Sequence, residues 1–295
     1  MGMIEKRHLT FKQRHGYEDL PAAMRPGELS PGFRRRLWDF FYGFLEAAKQ
    51  PRYYGGGVYF KANIENFVKE VIGDYLRQAQ SDINTDVSQV MKIFRHVALE
   101  AKYEDVMKFV EFVIRTDYGA VNLAKGLKEL FEQQAAPCFI DLDQKPYCVV
   151  QQSSGEEVSA TLTSLEAVKE AGFDSSLTHL RSAAEHLNGG RYRDSIRDSI
   201  HAVEAIARKI EPSAKTLGDA LNPLEEKGII GHSALKTALS KLYGYTSDEG
   251  GIRHAELDDN DSNIGLHEAM FFYSACAAFA GYLANKEREL NRKDG

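Results

Sequence analysis

Arg253 and His254 stand side by side just after Gly250-Gly251, within the run from Gly244 to Ala255. Arginine supplies a permanent cation whose planar donors match a phosphate. Histidine takes or gives a proton near neutral pH. Held beside a flexible turn, the two form a minimal set for work on a phosphodiester. The imidazole can draw the proton from a ribose 2′-hydroxyl, and the guanidinium can stabilise charge developing on the phosphoryl oxygens. One such pair supplies a base or an acid, not both. The dipeptide itself is cheap: Arg95-His96 repeats it in an apolar helical stretch, where packing accounts for it.

A helix about fifty residues upstream is the element best placed to support such a pair. Residues 191–210 echo every four positions: Asp194 with Asp198, Ser195 with Ser199, Ile196 with Ile200. Val203, Ile206, Ala207 and Ile210 continue the apolar stripe, so Ser195, Ser199 and Glu204 are expected at the margin of a largely buried face. The ordinary reading is hydroxyls back-bonded to helix carbonyls and a rim glutamate. Glu204, Ser247 and Asp248 are candidates to orient Arg253 or His254; capping and salt-bridging Arg253 to the bundle is the structural alternative for them. Arg197 and His201, four apart, share a face but miss the arginine-to-histidine spacing of a nuclease signature.

The order Tyr192-x-x-Ser195-Ile-x-x-Ser199-Ile-x-Ala-Val-Glu204, then Leu217-Gly-x-Ala-Leu221, then Leu242-Tyr-Gly-Tyr-x-Ser-Asp-x-Gly-Gly-Ile-Arg-His254 resembles the HEPN domain of AbiJ-type abortive-infection proteins. The N-terminal part resembles an AbiJ N-terminal domain through Phe11-x-x-Arg14-x-Gly16, Leu20-Pro21, Leu29-Ser30 and Phe33-Arg34-x-x-Leu37-Trp38. The resemblance implies a prokaryotic anti-phage protein: a metal-independent endoribonuclease toxin with Arg253 and His254 catalytic, restrained or triggered through its N-terminal domain. It also implies RNA as partner, an unknown phage-derived or cellular trigger, and a homodimer through the C-terminal bundle that brings two copies of the pair to one cleft. HEPN nucleases carry arginine, four to six residues, then histidine, and here the sequence departs. After Arg253-His254 come Asp258, Asp259 and Asn260, and the next histidine is His267. A bundle that binds RNA or a nucleotide and signals without cutting is therefore the alternative. The literal match Arg181-Ser-Ala-Ala-Glu-His186 lies within one helix, its ends about 140° apart around the barrel, and is rejected as the site.

Composition bounds these readings. The chain has 295 residues, 43% hydrophobic and 27% charged, which suits one large or two ordinary globular domains. Its net charge of −6 argues against non-specific coating of nucleic acid, and the acidic excess falls mainly in residues 161–295. A small basic cleft on an acidic body remains compatible with this, because field focusing is local. No apolar run reaches the length of a membrane span, and the N-terminus lacks the apolar core of a signal peptide, so a cytoplasmic protein is expected. Cys138, Cys148 and Cys276 show no metal spacing; Cys276 reads as a buried small residue, and a Cys138–Cys148 hairpin disulfide is disfavoured in a reducing cytosol. Neither a zinc nor a calcium motif is visible, and no cofactor is expected: His267-Glu268 lacks a second ligand at helical spacing, and Asp258-Asp259-x-Asp261 lacks the glycine and glutamate of an EF-hand loop.

The expected fold is mainly α: an N-terminal helical domain with a short β-hairpin over residues 1–157, then a HEPN-like helical bundle over 158–295. Helices are predicted over 33–48, 62–78, 86–100, 103–115 and 117–135. The hairpin is predicted from Cys138 to Gln151, turned at Asp143 to Pro146. Arg34-Arg35-Arg36 falls in a first helical turn, where cations oppose the helix dipole. Residues 52–60 read as a glycine-rich loop with tyrosines but without the ending of a P-loop. In the second half, Thr163-Ser-Leu-Glu166 predicts a capping box opening a helix. Helices are then expected over 174–188, 191–210, 216–227, 232–243 and 264–288, with Gly189-Gly190 as a stop.

Overall fold

The structure is a computed structural model, and it describes residues 24–51, 57–143, 145–247 and 264–292. The chain divides into two compact units at Gly155/Glu156. The fold is mainly α, with twelve α-helices and two small antiparallel hairpins among the described residues.

The first unit is built on α1 (Pro31–Ala47). Ser30 caps it by accepting a hydrogen bond from the Phe33 N–H at 3.0 Å, and Pro31 pre-sets the first turn. Phe33, Leu37, Phe41 and Leu45, four apart, form its fully buried stripe. Of the three arginines in its first turns, Arg34 finds a carbonyl rather than an anion: its Nη1 donates to Ala98 O at 3.3 Å. Strands β1 (Lys49–Pro51) and β2 (Val58–Phe60) form a hairpin where the sequence suggested only a loop. Three residues a side are too short for a period-two pattern to show. Helix α2 (Ala62–Glu70) runs into a π turn over Val71–Tyr75 and stops there, shorter than the 62–78 expected. Helices α3 (Val87–Leu99), α4 (Tyr103–Arg115), α5 (Asp117–Asn122) and α6 (Ala124–Gln133) follow. Phe41, Phe94 and Phe109 meet at the centre of this unit, with ring centroids 5.2 to 5.5 Å apart and edge-to-face. Strands β3 (Cys138–Asp141) and β4 (Cys148–Gln151) make the expected hairpin, pairing Cys138 with Gln151 and Asp141 with Cys148. The two cysteines thus lie at opposite ends of the ladder; both are buried and neither is in a disulfide.

The second unit is all helical among the described residues: α7 (Gly155–Glu170), α8 (Asp174–Asn188), α9 (Tyr192–Ile210), α10 (Leu217–Glu226), α11 (Ser233–Ser247) and α12 (Leu266–Asn291). Helix α7 corrects the sequence reading, because it begins two turns before Thr163. The Thr163 and Ser164 hydroxyls donate to the carbonyls of Ser159 and Ala160 at 2.9 and 3.0 Å, so the apparent capping box lies inside a helix. Glu156 and Glu157 in the true first turn suit the helix dipole. Helix α8 ends at the predicted glycines, with Gly190 at φ +71° and its N–H donating to Leu187 O at 3.1 Å. Helix α10 opens on a capping box between Thr216 and Asp219. Helix α9 is the centre of the bundle. It packs against α8 and α12 along most of its length and touches α10 and α11. Ile196, Ala202, Val203, Ile206 and Ala207 are its buried face. Among the described residues no helix is long and apolar enough to cross a membrane.

Candidate functional site along the α8–α9 seam

The polar chemistry of the second unit gathers where α8 lies against α9. Ser175, His179, Ser182 and His186 follow one another at helical spacing on α8. Across from them α9 presents Asp194, Asp198, His201, Ala205 and Arg208 in the same way. The residues in the middle of this seam touch. Ser182 Oγ donates to Asp198 Oδ2 at 2.5 Å, and His186 Nε2 stands 3.3 Å from the same oxygen. Arg191 Nε donates to His186 Nδ1 at 2.8 Å. A guanidinium only donates, so Nδ1 is the acceptor and, in the neutral imidazole, Nε2 carries the hydrogen that points at Asp198.

Toward the C-terminal end of α9 the seam opens into a cleft of about 510 Å³ lined by Ser175, His179, His201, Glu204, Arg208 and Lys209, among others. The His179 and His201 rings meet at 5.5 Å between centroids and 66° between planes. His201 Nδ1 is 3.7 Å from Asp198 Oδ1. Burial, and then the neighbouring His179 imidazole, holds the His201 pKa below the usual histidine range, against the opposing pull of Asp198 and Glu204. One ligand atom from each of His179, Asp198 and His201 lies within 4.8 Å of the others. This is the group among the described residues that could hold a metal. Glu204 Oε1 lies 3.7 Å from Arg208 Nη1. Lys209 Nζ donates to Gly172 O at 2.7 Å and sits 4.9 Å from the Phe173 ring centroid. The cleft therefore combines two imidazoles, one carboxylate and two cations on a shared wall.

The residues singled out from sequence distribute unevenly around this arrangement. Glu204 is a rim residue, as expected, and lines the cleft. Ser195 and Ser199 are not at the margin of the buried face but fully inside it, each at 0% exposure. Ser199 Oγ donates to Ser195 O at 2.7 Å, the expected back-bond, while Ser195 Oγ meets no partner among the described residues. Neither serine reaches the cleft, so the structure gives them packing roles on α9. Ser247 closes α11. Asp248, Arg253 and His254 lie outside the described residues, as does the side chain of Ser247. Sequence reading missed His179 and gave no role to Asp198. It rejected His186 with Arg181, and it noted His201 only beside Arg197. That arginine instead pairs with Asp194 at 2.7 Å. The available signal was the i, i+3 and i+4 spacing of Ser175, His179, Ser182 and His186, which marks a polar helix face but names no partner.

No family model matches the chain, and no curated protein or solved structure matches it.

Proposed function

We propose that the chain is a cytoplasmic, RNA-directed defence protein of the AbiJ type, and that its C-terminal bundle is a HEPN-like endoribonuclease acting without a metal at the cleavage step. The cleft on α9 is the observation that carries this reading. It sets the His179 and His201 imidazoles side by side with Arg208, Lys209 and Glu204, a set suited to a phosphodiester backbone and to proton transfer. Arg253 and His254, named by the resemblance, supply one cation and one proton carrier. His179 on α8 and His201 on α9, when no metal occupies them, offer the second proton carrier that a lone pair lacks. Association through the C-terminal bundle would supply it from another copy instead.

The test is tightly induced expression of the wild type, His254→Ala and His201→Ala in bacteria, reading growth and total RNA integrity. Arrest with RNA fragmentation, lost in His254→Ala, supports a ribonuclease toxin. Fragmentation that persists in both folded Arg253→Ala and His254→Ala proteins refutes the assignment. Retention in His201→Ala alone would confine the chemistry to Arg253 and His254. A sedimentation measurement tests the homodimer, and a strictly monomeric active protein would end that part of the proposal.

The second reading, a non-cutting module that binds RNA or a nucleotide, rests on one specific feature. No histidine follows Arg253-His254 before His267. On that reading the same substitutions weaken binding and no RNA product is formed.

A further inference from the structure

Asp198 uses its two carboxylate oxygens differently. Oδ2 is occupied by the Ser182 hydroxyl at 2.5 Å and the His186 Nε2 at 3.3 Å. That leaves Oδ1 toward His201, whose Nδ1 is 3.7 Å away. This distance is too long for a hydrogen bond. It is close to the roughly 3.3 Å that separates two ligands of a tetrahedral zinc ion with bonds of about 2.0 Å. His179 comes from the facing helix, and one ligand atom from each of His179, Asp198 and His201 lies within 4.8 Å of the other two.

We propose that His179, Asp198 and His201 form a two-histidine, one-carboxylate binding site for a zinc-class divalent cation, joining α8 to α9 at the wall of the cleft. The donor set is that of an open metal site: imidazole nitrogen and carboxylate oxygen from three side chains, with a fourth position for water or an anionic oxygen. His179 and His201 line the cleft, so the fourth position opens into it. The supporting shell is already assembled. Ser182 and His186 fix the carboxylate through Oδ2, and Arg191 fixes the His186 ring from its far side at 2.8 Å. Outer partners of this kind orient a ligand before the metal arrives. The three side chains are only partly buried, so small rotamer changes suffice to close the set. Two ligands stand three apart on α9 and the third comes from α8, so the cation would pin the helix pair that dominates the bundle.

This inference does not depend on Arg253 or His254 cutting RNA, but it competes with a proton-carrier role for His179 and His201, because an imidazole that ligates a cation cannot also pass a proton. The experiment uses the full-length chain without an affinity tag, stripped with chelator and titrated with Co(II) and then Zn(II). The expected result is one equivalent of Co(II) per chain, with the intense visible bands of a tetrahedral site, and its displacement by Zn(II). His179→Ala and His201→Ala should each abolish the bands while keeping the helical circular dichroism of the wild type. Ser182→Ala should weaken binding by about 10-fold or more, the usual effect of losing an outer partner. His96→Ala changes an exposed histidine in the other unit and should leave binding intact. Absence of stoichiometric Co(II) and Zn(II) binding, or binding that survives both His179→Ala and His201→Ala, would overturn the proposal. His179 and His201 are partly exposed, so these two variants carry the test even where Asp198→Asn fails to fold.

Discussion

Ser182 on α8 and Asp198 on α9 are joined by a 2.5 Å hydrogen bond across the seam of the bundle. The Asp198 side chain is 14% exposed, so its charge sits in a partly desolvated place and depends on Ser182 and His186 to offset that cost. Removing the carboxylate strands both donors. In chelator, Asp198→Ala should therefore destabilise the second unit by about 1–3 kcal/mol, read by urea denaturation. Arg197→Ala breaks only the half-exposed pair with Asp194 and should cost less than about 1 kcal/mol. Equal effects would mean that the seam contributes nothing beyond an ordinary surface ion pair.

Two helical glycines should respond oppositely to alanine. A Cβ at Gly119 would fall 1.8 Å from the Val113 carbonyl oxygen, a backbone atom that cannot yield. Gly119→Ala should cost about 3 kcal/mol or more. Gly43, exposed within α1, has nothing within 4 Å of the same position. Gly43→Ala should gain about 0.5–1 kcal/mol from helix propensity. Thermal unfolding of the two variants beside the wild type checks both signs.

The thiols should be silent in the native protein. Burial pushes Cys138 and Cys276 up to about 12, so neither holds appreciable thiolate at neutral pH. Cys148 is likewise buried and forms no disulfide. Native protein should take up no label from a thiol reagent at pH 8 over minutes, and three equivalents in guanidinium. Rapid native labelling of Cys138 or Cys276 would show that the packing around β3 or α12 opens readily.

Glu211 should contribute to acid stability. Lys227 Nζ donates to its Oε2 at 2.7 Å, and the Ser213 hydroxyl and N–H both reach Oε1. The hydrogen bonds from Lys227, then Ser213, hold its pKa down at about 2, below the ordinary 4.5. A carboxylate depressed on folding stabilises above its unfolded value and loses that contribution as pH falls through its folded one. The wild type should thus lose stability between pH 4.5 and 2 more steeply than Glu211→Gln, with a constant gap between them above about pH 6. Parallel curves across the acid range would remove Glu211 from the account.

Periodicity made most of the helices legible. The stripe Phe33-Leu37-Phe41-Leu45 and the four-residue echo of α9 each identify a helix and its buried face without any partner in view. Three local features misled. A threonine, a serine and a glutamate at capping-box spacing carry no mark that distinguishes a helix start from a helix interior, and Thr163 proved to be interior. The β1–β2 hairpin is too short to show alternation, and the π turn at Val71–Tyr75 leaves the apolar pattern undisturbed. The site was less legible than the fold for a different reason. His179 and His201 lie 22 residues apart, and nothing in their spacing pairs them; only the antiparallel packing of α8 on α9 does so. Of the three side chains grouped there, Asp198 and His201 share α9 at a spacing of three, too common a pair to mark a site alone, and the third, His179, comes from α8.

The cations of the cleft arrive already engaged. Lys209 is held by a carbonyl and an aromatic ring, and Arg208 leans toward Glu204 on the next turn of the same helix. A phosphate entering there would compete with a neighbouring carboxylate for the arginine. The cleft carries its own competitive inhibitor, tethered one turn away. Neutralising it in Glu204→Gln should raise affinity for any anionic ligand of the cleft rather than lower it, the reverse of what loss of a substrate-binding residue would do.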